Sequence, residues 1–318
     1  MSATTSFALD YATATEAVGL LDRSERGKLA LSGGDAKAFL HGQVTQDITG
    51  LTPGHGCYAA FLTQKGKMLG DLRVLDTGTE LLLDTERVAL QGLFNMIRRY
   101  SLGHAVELHK RTLESSLLSL IGPLADELLT RTGGAVGPAE HDHAEFALGG
   151  ATVRAIRTDV GLDLLFGAEH LPAVRAALLD AGAVEIGEEA AEAVRIEHGR
   201  PRYGIDLDDS VIPQEAQLNT RAVSFTKGCY VGQETVARLF YKGKPNRELR
   251  GLSSAEPLEV GTELTLDERV VATITSAVDS PRFGSIALAL VRREAPAGAI
   301  VQARAGHEAV VSELPFSE

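Results

Sequence analysis

Lys227-Gly228-Cys229-Tyr230-Val231-Gly232-Gln233-Glu234 gathers a lysine, a thiol and a carboxamide–carboxylate pair around two glycines. In an extended segment side chains alternate faces, so Lys227 and Cys229 would point the same way. A thiol beside an ammonium and just ahead of a helix N-terminus tends toward the reactive thiolate. Against this stands the commonest fate of a free cysteine, that of a small buried hydrophobe. Spacing alone leaves both open. The other cysteine, Cys57, lies between Gly56 and Tyr58 at a strand start and reads as structural.

The elements that must position these groups are short and mixed. Lys28-Leu29-Ala30-Leu31 is strand-like, and Asp35 to Gln46 follows as an amphipathic helix with Ala36, Phe39, Leu40 and Val44 on one face. Tyr58 to Leu62 and Leu69 to Leu75 read as a hairpin across Thr63-Gln64-Lys65-Gly66-Lys67. A strand at Glu80 to Asp84 precedes a helix from about Glu86 to Arg98. A second unit repeats the theme, with strands near Leu117–Ile121, Val153–Ile156 and Leu162–Phe166 and helices at Leu124–Thr130 and Glu169–Ala181. A helix from Glu188 to His198 ends at Gly199, suited to a left-handed cap. This mixture predicts α+β layers and not a doubly wound parallel sheet.

After Pro245 the texture changes. Leu249–Leu252, Glu263–Leu266, Val270–Thr275, Ile286–Val291, Ile300–Arg304 and Glu308–Leu314 are short, regularly spaced strands, the pattern of a small barrel. Residues 1–245 therefore form one region of two α+β subdomains, split near 115–145, and residues 246–318 a C-terminal β-barrel.

The chain has 318 residues, 44% of them hydrophobic and 23% charged, the composition of a soluble globular protein. Asp and Glu outnumber Lys and Arg by 43 to 31, for a formal charge of -12, which argues against a nucleic-acid partner. Two cysteines supply neither a disulfide framework nor the four ligands of a resident iron–sulfur cluster, and a reducing, cytoplasmic setting fits them. Met1 to Asp10 carries no export-type segment, and no window approaches the roughly 20 apolar residues of a membrane span. His141 and His143 sit beside acidic residues in loop-like sequence, with His170 more distant, and they read as solvated side chains, so no bound metal is expected.

Five motifs in order carry a resemblance that covers nearly the whole chain. Phe39-Leu40-His41-Gly42-Gln43-Val44-Thr45-Gln46-Asp47 resembles a helix of the folate-binding aminomethyltransferase superfamily. Thr63 to Asp71 resembles that superfamily's next element, which carries an active-site aspartate. Arg195 to Asp206 is similar to its R-x-E-x-G-x-P-x-x-G-x-D segment, and Ile274 to Arg293 to its terminal barrel. Ile212-Pro213-Gln214-Glu215-Ala216 together with the Lys227–Glu234 octapeptide resembles the YgfZ branch rather than the glycine-cleavage T-protein itself.

The resemblance implies two α+β subdomains enclosing a folate-sized cavity, capped by a β-barrel. It implies tetrahydrofolate or a derivative as ligand, and a role in synthesis or repair of iron–sulfur enzymes, with assembly proteins or client enzymes as partners. Carried over by motif, Cys229 is the functional cysteine, with Lys227, Tyr230, Gly232, Gln233 and Glu234 as companions. Asp71 would orient the ligand or take up a proton; without the resemblance it reads as a strand-start aspartate bonding backbone. Gln233 and Glu234 suit a pterin edge, although Glu234 also suits a helix N-terminus. Lys227, Arg221 or Arg238 could meet a folate's anionic tail, and Arg238 could equally form an i,i+4 pair with Glu234.

Two departures from the T-protein stand out. Arg157-Thr158-Asp159-Val160-Gly161-Leu162-Asp163 lacks the tyrosine and glutamate of the corresponding T-protein motif, and Gly70 stands where a second acidic residue is usual beside the aspartate. Three functions are therefore open: a folate-binding accessory protein with a reactive Cys229, a folate-dependent aminomethyl or one-carbon transferase, and a binding scaffold with an inert cysteine.

Overall fold

The computed structural model describes residues 3–303 and 306–317. Arg304, the end of the expected strand Ile300–Arg304, lies outside them. The chain forms two compact units. One comprises the residues up to Phe61, Leu69–Ala191 and Ala222–Val231; the other comprises Leu62–Met68, Glu192–Arg221 and the residues from Gly232 on.

Two sheets build the first unit. The five-stranded sheet has the order Gly56–Leu62, Met68–Asp76, Leu81–Thr85, Gly27–Ser32, Glu107–Lys110. The six-stranded sheet has the order Val184–Glu185, Gly19–Asp22, Ser115–Ile121, Gly161–Gly167, Ala151–Arg157, His143–Leu148. Only the Val184–Glu185 pairing in the six-stranded sheet is parallel. Alternation explains its core: Leu162, Leu164 and Phe166 of one strand point inward with Leu118 and Leu120 of the next. Helices Ala125–Arg131 and Leu171–Asp180 cover that face with Leu128, Leu129, Val174 and Leu178.

The opposite problem, buried charge, appears on one face of the five-stranded sheet. Register places Arg73 opposite Asp84, and Asp84 opposite Lys28. Arg73 donates to Asp84 and, across to the six-stranded sheet, to Asp163, both at 2.7 Å. Arg26 holds the other oxygen of Asp84 at 2.8 Å and also pairs with Glu86, while Ser119 donates to Asp163 at 2.5 Å. Burial alone would raise the Asp84 carboxyl, but Arg26 and Arg73 outweigh it and hold it below its ordinary value.

In the second unit, Arg247–Ser254, Gly284–Arg292, Arg269–Ser280, Glu263–Leu266, Ile300–Gln302 and Glu308–Ser312 close into a six-stranded barrel. Leu252, Leu264, Ile274, Ala287, Ala289 and Val311 fill it. The R-x-E-x-G-x-P-x-x-G-x-D residues are its buttress. Asp206 accepts from Arg195, Thr275 and Ser276 at 2.6–2.7 Å, and Ser280 donates to Glu197 at 2.5 Å. Gly199 takes φ +63°, as expected for the cap, and a Cβ there would lie 2.7 Å from Leu314.

Several elements differ from the sequence reading. The helix expected over Asp35–Gln46 spans Ala36–Gln43, because Val44 turns extended and bridges Phe61. His143 opens a strand, His143–Leu148, where loop composition suggested none; its ring faces Arg154 at 2.8 Å, and burial with that cation lowers its pKa to about 4. Gly19–Asp22 and Glu107–Lys110 are short strands that local pattern did not reveal.

Replacing Arg73 by Met would leave the buried Asp84 with Arg26 alone and the part-buried Asp163 without a cation. We expect a loss of about 3 kcal/mol or more, read as a lower urea midpoint at constant m-value. An unaltered midpoint would show that the paired sheets do not depend on this ion chain.

Candidate functional site

The octapeptide is anchored before it is reactive. Lys227 is half-buried, and its ammonium donates to the carbonyls of Val44 at 2.7 Å and Gln46 at 3.0 Å, and to that of His41. Those are the orphan acceptors at and just past the C-terminal end of helix Ala36–Gln43. Three N–H groups are all that a lysine has. Burial lowers its pKa to about 8, against Asp47 and Cys57, which raise it.

The surrounding segment is held from several directions. Thr45, fully buried, donates to Ala222 O at 2.5 Å and accepts from Ala60 N at 2.9 Å. Ser224 N donates to Thr45 O, and Val231 N to Gly42 O. Cys229 lies between these fastenings and is exposed. The thiol that feels the Lys227 charge is Cys57, which burial nonetheless pushes up to about 12. Tyr230 packs its ring 5.0 Å from the Lys227 nitrogen, and burial raises its hydroxyl to about 12.

Asp71 lies on strand Met68–Asp76, two residues before Arg73 and on the same face. It is 5% exposed, and Tyr58 donates to its Oδ2 at 2.6 Å. Burial raises its pKa to about 6, while the Tyr58 hydrogen bond pulls it down. Such a carboxyl can hold or release a proton near neutral pH. Its own carbonyl accepts from Thr85 at 2.5 Å, which fixes the strand locally. At the neighbouring position, a Cβ on Gly70 would lie 2.6 Å from the Phe61 ring and 2.7 Å from Ala89. No acidic side chain fits there without moving both.

The remaining candidates belong to the second unit. Gly232 adopts φ +86° at the N-terminus of helix Gln233–Lys242, and a Cβ would meet Thr63 O at 2.6 Å. Gly66 makes the reciprocal approach, 2.9 Å from Thr235. The hairpin tip Thr63–Lys67 and the helix start thus touch only because both positions are glycine. Gln233 is half-buried in the helix's first turn, and Glu234 and Arg238 are exposed on it. Glu234 stands where a carboxylate favours the helix dipole. Gln214 of the I-P-Q-E-A motif donates to Val236 O at 2.8 Å, and Glu215 pairs with Arg247 at 3.1 Å, so this motif fastens the helix and the first barrel strand.

Comparison with known proteins follows this geometry. The family model for the GCVT N-terminal domain matches residues 2–227. The chain belongs to this family. A chloroplastic protein of Arabidopsis thaliana, whose name calls it a transferase, is 28% identical over 94% of this chain and 71% of its own length. An aminomethyltransferase of Chloroherpeton thalassium is 29% identical over 71% of this chain and 65% of its own. The crystal structure of glycine cleavage system aminomethyltransferase T from Bartonella henselae superposes with a TM-score of 0.88 at 23% identity, covering 98% of this chain and 90% of that one. The chain therefore has the T-protein fold, and the expected α+β layers and terminal barrel are both present.

Tyr58 was not singled out by the sequence. Its signal is alternation: Tyr58 sits on the strand beside that of Asp71, in the hairpin the sequence did reveal. Removing its hydroxyl in Tyr58→Phe should raise the Asp71 pKa above about 6, since the lost hydrogen bond favours the anion. Carboxyl-carbon NMR titration reads this directly, and an unchanged value would break the link between the two residues. Lys227→Met should speed hydrogen exchange at the Val231 amide, whose partner is Gly42 O, about tenfold or more. Unchanged exchange would mean that the ammonium does not hold the loop.

Proposed function

We propose that the chain is a folate-binding accessory protein of the YgfZ branch, supporting synthesis or repair of iron–sulfur enzymes. The observation that carries the ligand class is Asp71, a buried carboxyl with a pKa raised to about 6 and a single tyrosine partner. A pterin offers nitrogens that such a group can pair with or deprotonate. Family membership and the aminomethyltransferase names of relatives support a tetrahydrofolate-type ligand. The exposure of Cys229 supports the thiol as its reacting group, with the half-buried Cys57, its thiol pushed up to about 12, as the counterpart.

In this reading Lys227 and Tyr230 hold the Cys229 loop and Asp71 faces the ligand, while the polar roles of Gln233, Glu234 and Arg238 rest on motif resemblance alone. The division at 245, a cytoplasmic setting, and assembly proteins or client enzymes as partners belong to the same proposal. Among the described residues no helix is long and apolar enough to cross a membrane.

Aminomethyl or one-carbon transfer is the second reading, favoured by the names of the relatives. The packing around Gly70 and the Arg157–Asp163 sequence argue against it, since both of the extra T-protein acids are missing.

Calorimetric titration of the reduced protein with tetrahydrofolate tests the proposal. Wild type should bind in the micromolar range, and Asp71→Ala should weaken binding about tenfold or more. Cys229→Ser should bind normally while losing the only thiol that labels rapidly. Absence of binding to wild type would remove folate from the mechanism. Equal labelling of Cys57 and Cys229 would remove the thiol assignment.

A further inference from the structure

Between the two sheets of the first unit lies a cleft of about 600 Å³, within the size range of small-molecule sites. None of Asp71, Tyr58, Lys227 and Cys229 lines it. One face of strand Met68–Asp76 runs from Asp71 through Arg73 to Leu75. The cleft begins at Arg73 and Leu75 and continues past the strand end to Thr77 and Thr79. It is therefore set along the sheet from Asp71, with the Arg73 ion chain as its wall.

Its floor is apolar, with Leu75, Leu82, Leu117 and Leu165. The rim is charged, and its donors are underspent. A guanidinium has five N–H groups and an ammonium three. Arg154 uses one nitrogen on His143 Nδ1 and one on Glu145; Arg111 uses one on Glu114 and one on Glu80. Lys28 donates to the carbonyls of Ser24 and Arg26 and keeps a third N–H.

Exposure separates the signs. The Arg154 side chain is 15% exposed and Lys28 is 3% exposed, whereas Glu145 and Glu114 are 54% and 62% exposed. Asp84, the inner carboxylate, is already shared by Arg26 and Arg73. The inner wall thus offers the donors of Arg154 and Lys28, while Glu145 and Glu114 turn to water and Glu80 stays beside the more open Arg111.

We propose that this cleft binds a small amphipathic carboxylate. The apolar body lies on Leu75, Leu82, Leu117 and Leu165, and the anionic head takes the spare N–H groups of Arg154, Arg111 and Lys28. Charge-assisted bonds of this kind are the strong ones, and the apolar floor keeps water from competing for them.

Octanoate is the probe, with octanamide as its neutral counterpart, both titrated calorimetrically into the full chain. Octanoate should bind saturably at one site, and octanamide about tenfold or more weakly. Arg154→Met should weaken octanoate by a similar factor. Thr152→Trp, at an exposed rim position, should block it while leaving the melting temperature near wild type. Equal binding of octanamide, or no binding of octanoate, overturns the proposal. Displacement of octanoate by tetrahydrofolate would also overturn it, by making the cleft part of the folate site. If tetrahydrofolate fails to bind at all, octanoate binding is expected to persist, so the two proposals fail separately.

Discussion

A single guanidinium, that of Arg73, links the five-stranded sheet to the six-stranded one by holding a carboxylate on each. Lys28, Arg26, Asp84 and Arg73 share one side of the five-stranded sheet, and none of them can be left dry and unpaired. The solution is a chain of alternating charge that reaches across to Asp163 and ends on a serine. Such pairs add little net stability compared with apolar packing, but they punish every arrangement except the one that completes them. Completing the chain fixes the Arg73 guanidinium against Asp84 and Asp163. Asp71, two residues along the same strand, inherits its surroundings from it.

This setting explains why Asp71 behaves differently from its acidic neighbours. Asp84 lies within reach of two guanidinium groups and stays ionised, while Asp71 has a neutral phenol as its hydrogen-bond partner. Identical side chains on one sheet face are thereby pushed apart in acidity, the arrangement from which acid–base assignments are read. The Cys229 segment shows the complementary economy. Its lysine is committed to carbonyls left open by a helix end, which ties the loop to that helix.

How much of this was legible beforehand follows from where each constraint originates. Leu162, Leu164 and Phe166 announce their strand by alternation, and the regular spacing after Pro245 announces the barrel, because both signals are local. The strand Glu107–Lys110 has no such signature; it exists because Gly27–Ser32 offers it an edge. The helix from Ala36 stops short for a tertiary reason, the bridge from Val44 to Phe61. Asp71 and Cys229 were visible through motif resemblance. The partners of Lys227 were not, since the carbonyl of His41 lies 186 positions away and carbonyls leave no mark in a sequence. The donor-rich cleft was equally hidden, its lining being scattered from Lys28 to Gly167.

Gly70 carries a consequence for how this chain could change over time. The acidic residue that T-proteins place beside the equivalent of Asp71 would need space now filled by the Phe61 ring and the Ala89 methyl. An acidic substitution at position 70 alone would meet a steric barrier before it met any chemical benefit. Phe61 would have to shrink or turn first, and that change by itself would open a void in a fully packed site. The smallness of residue 70 is thus set by hydrocarbon packing, and a side chain there requires a coupled change in Phe61 or Ala89.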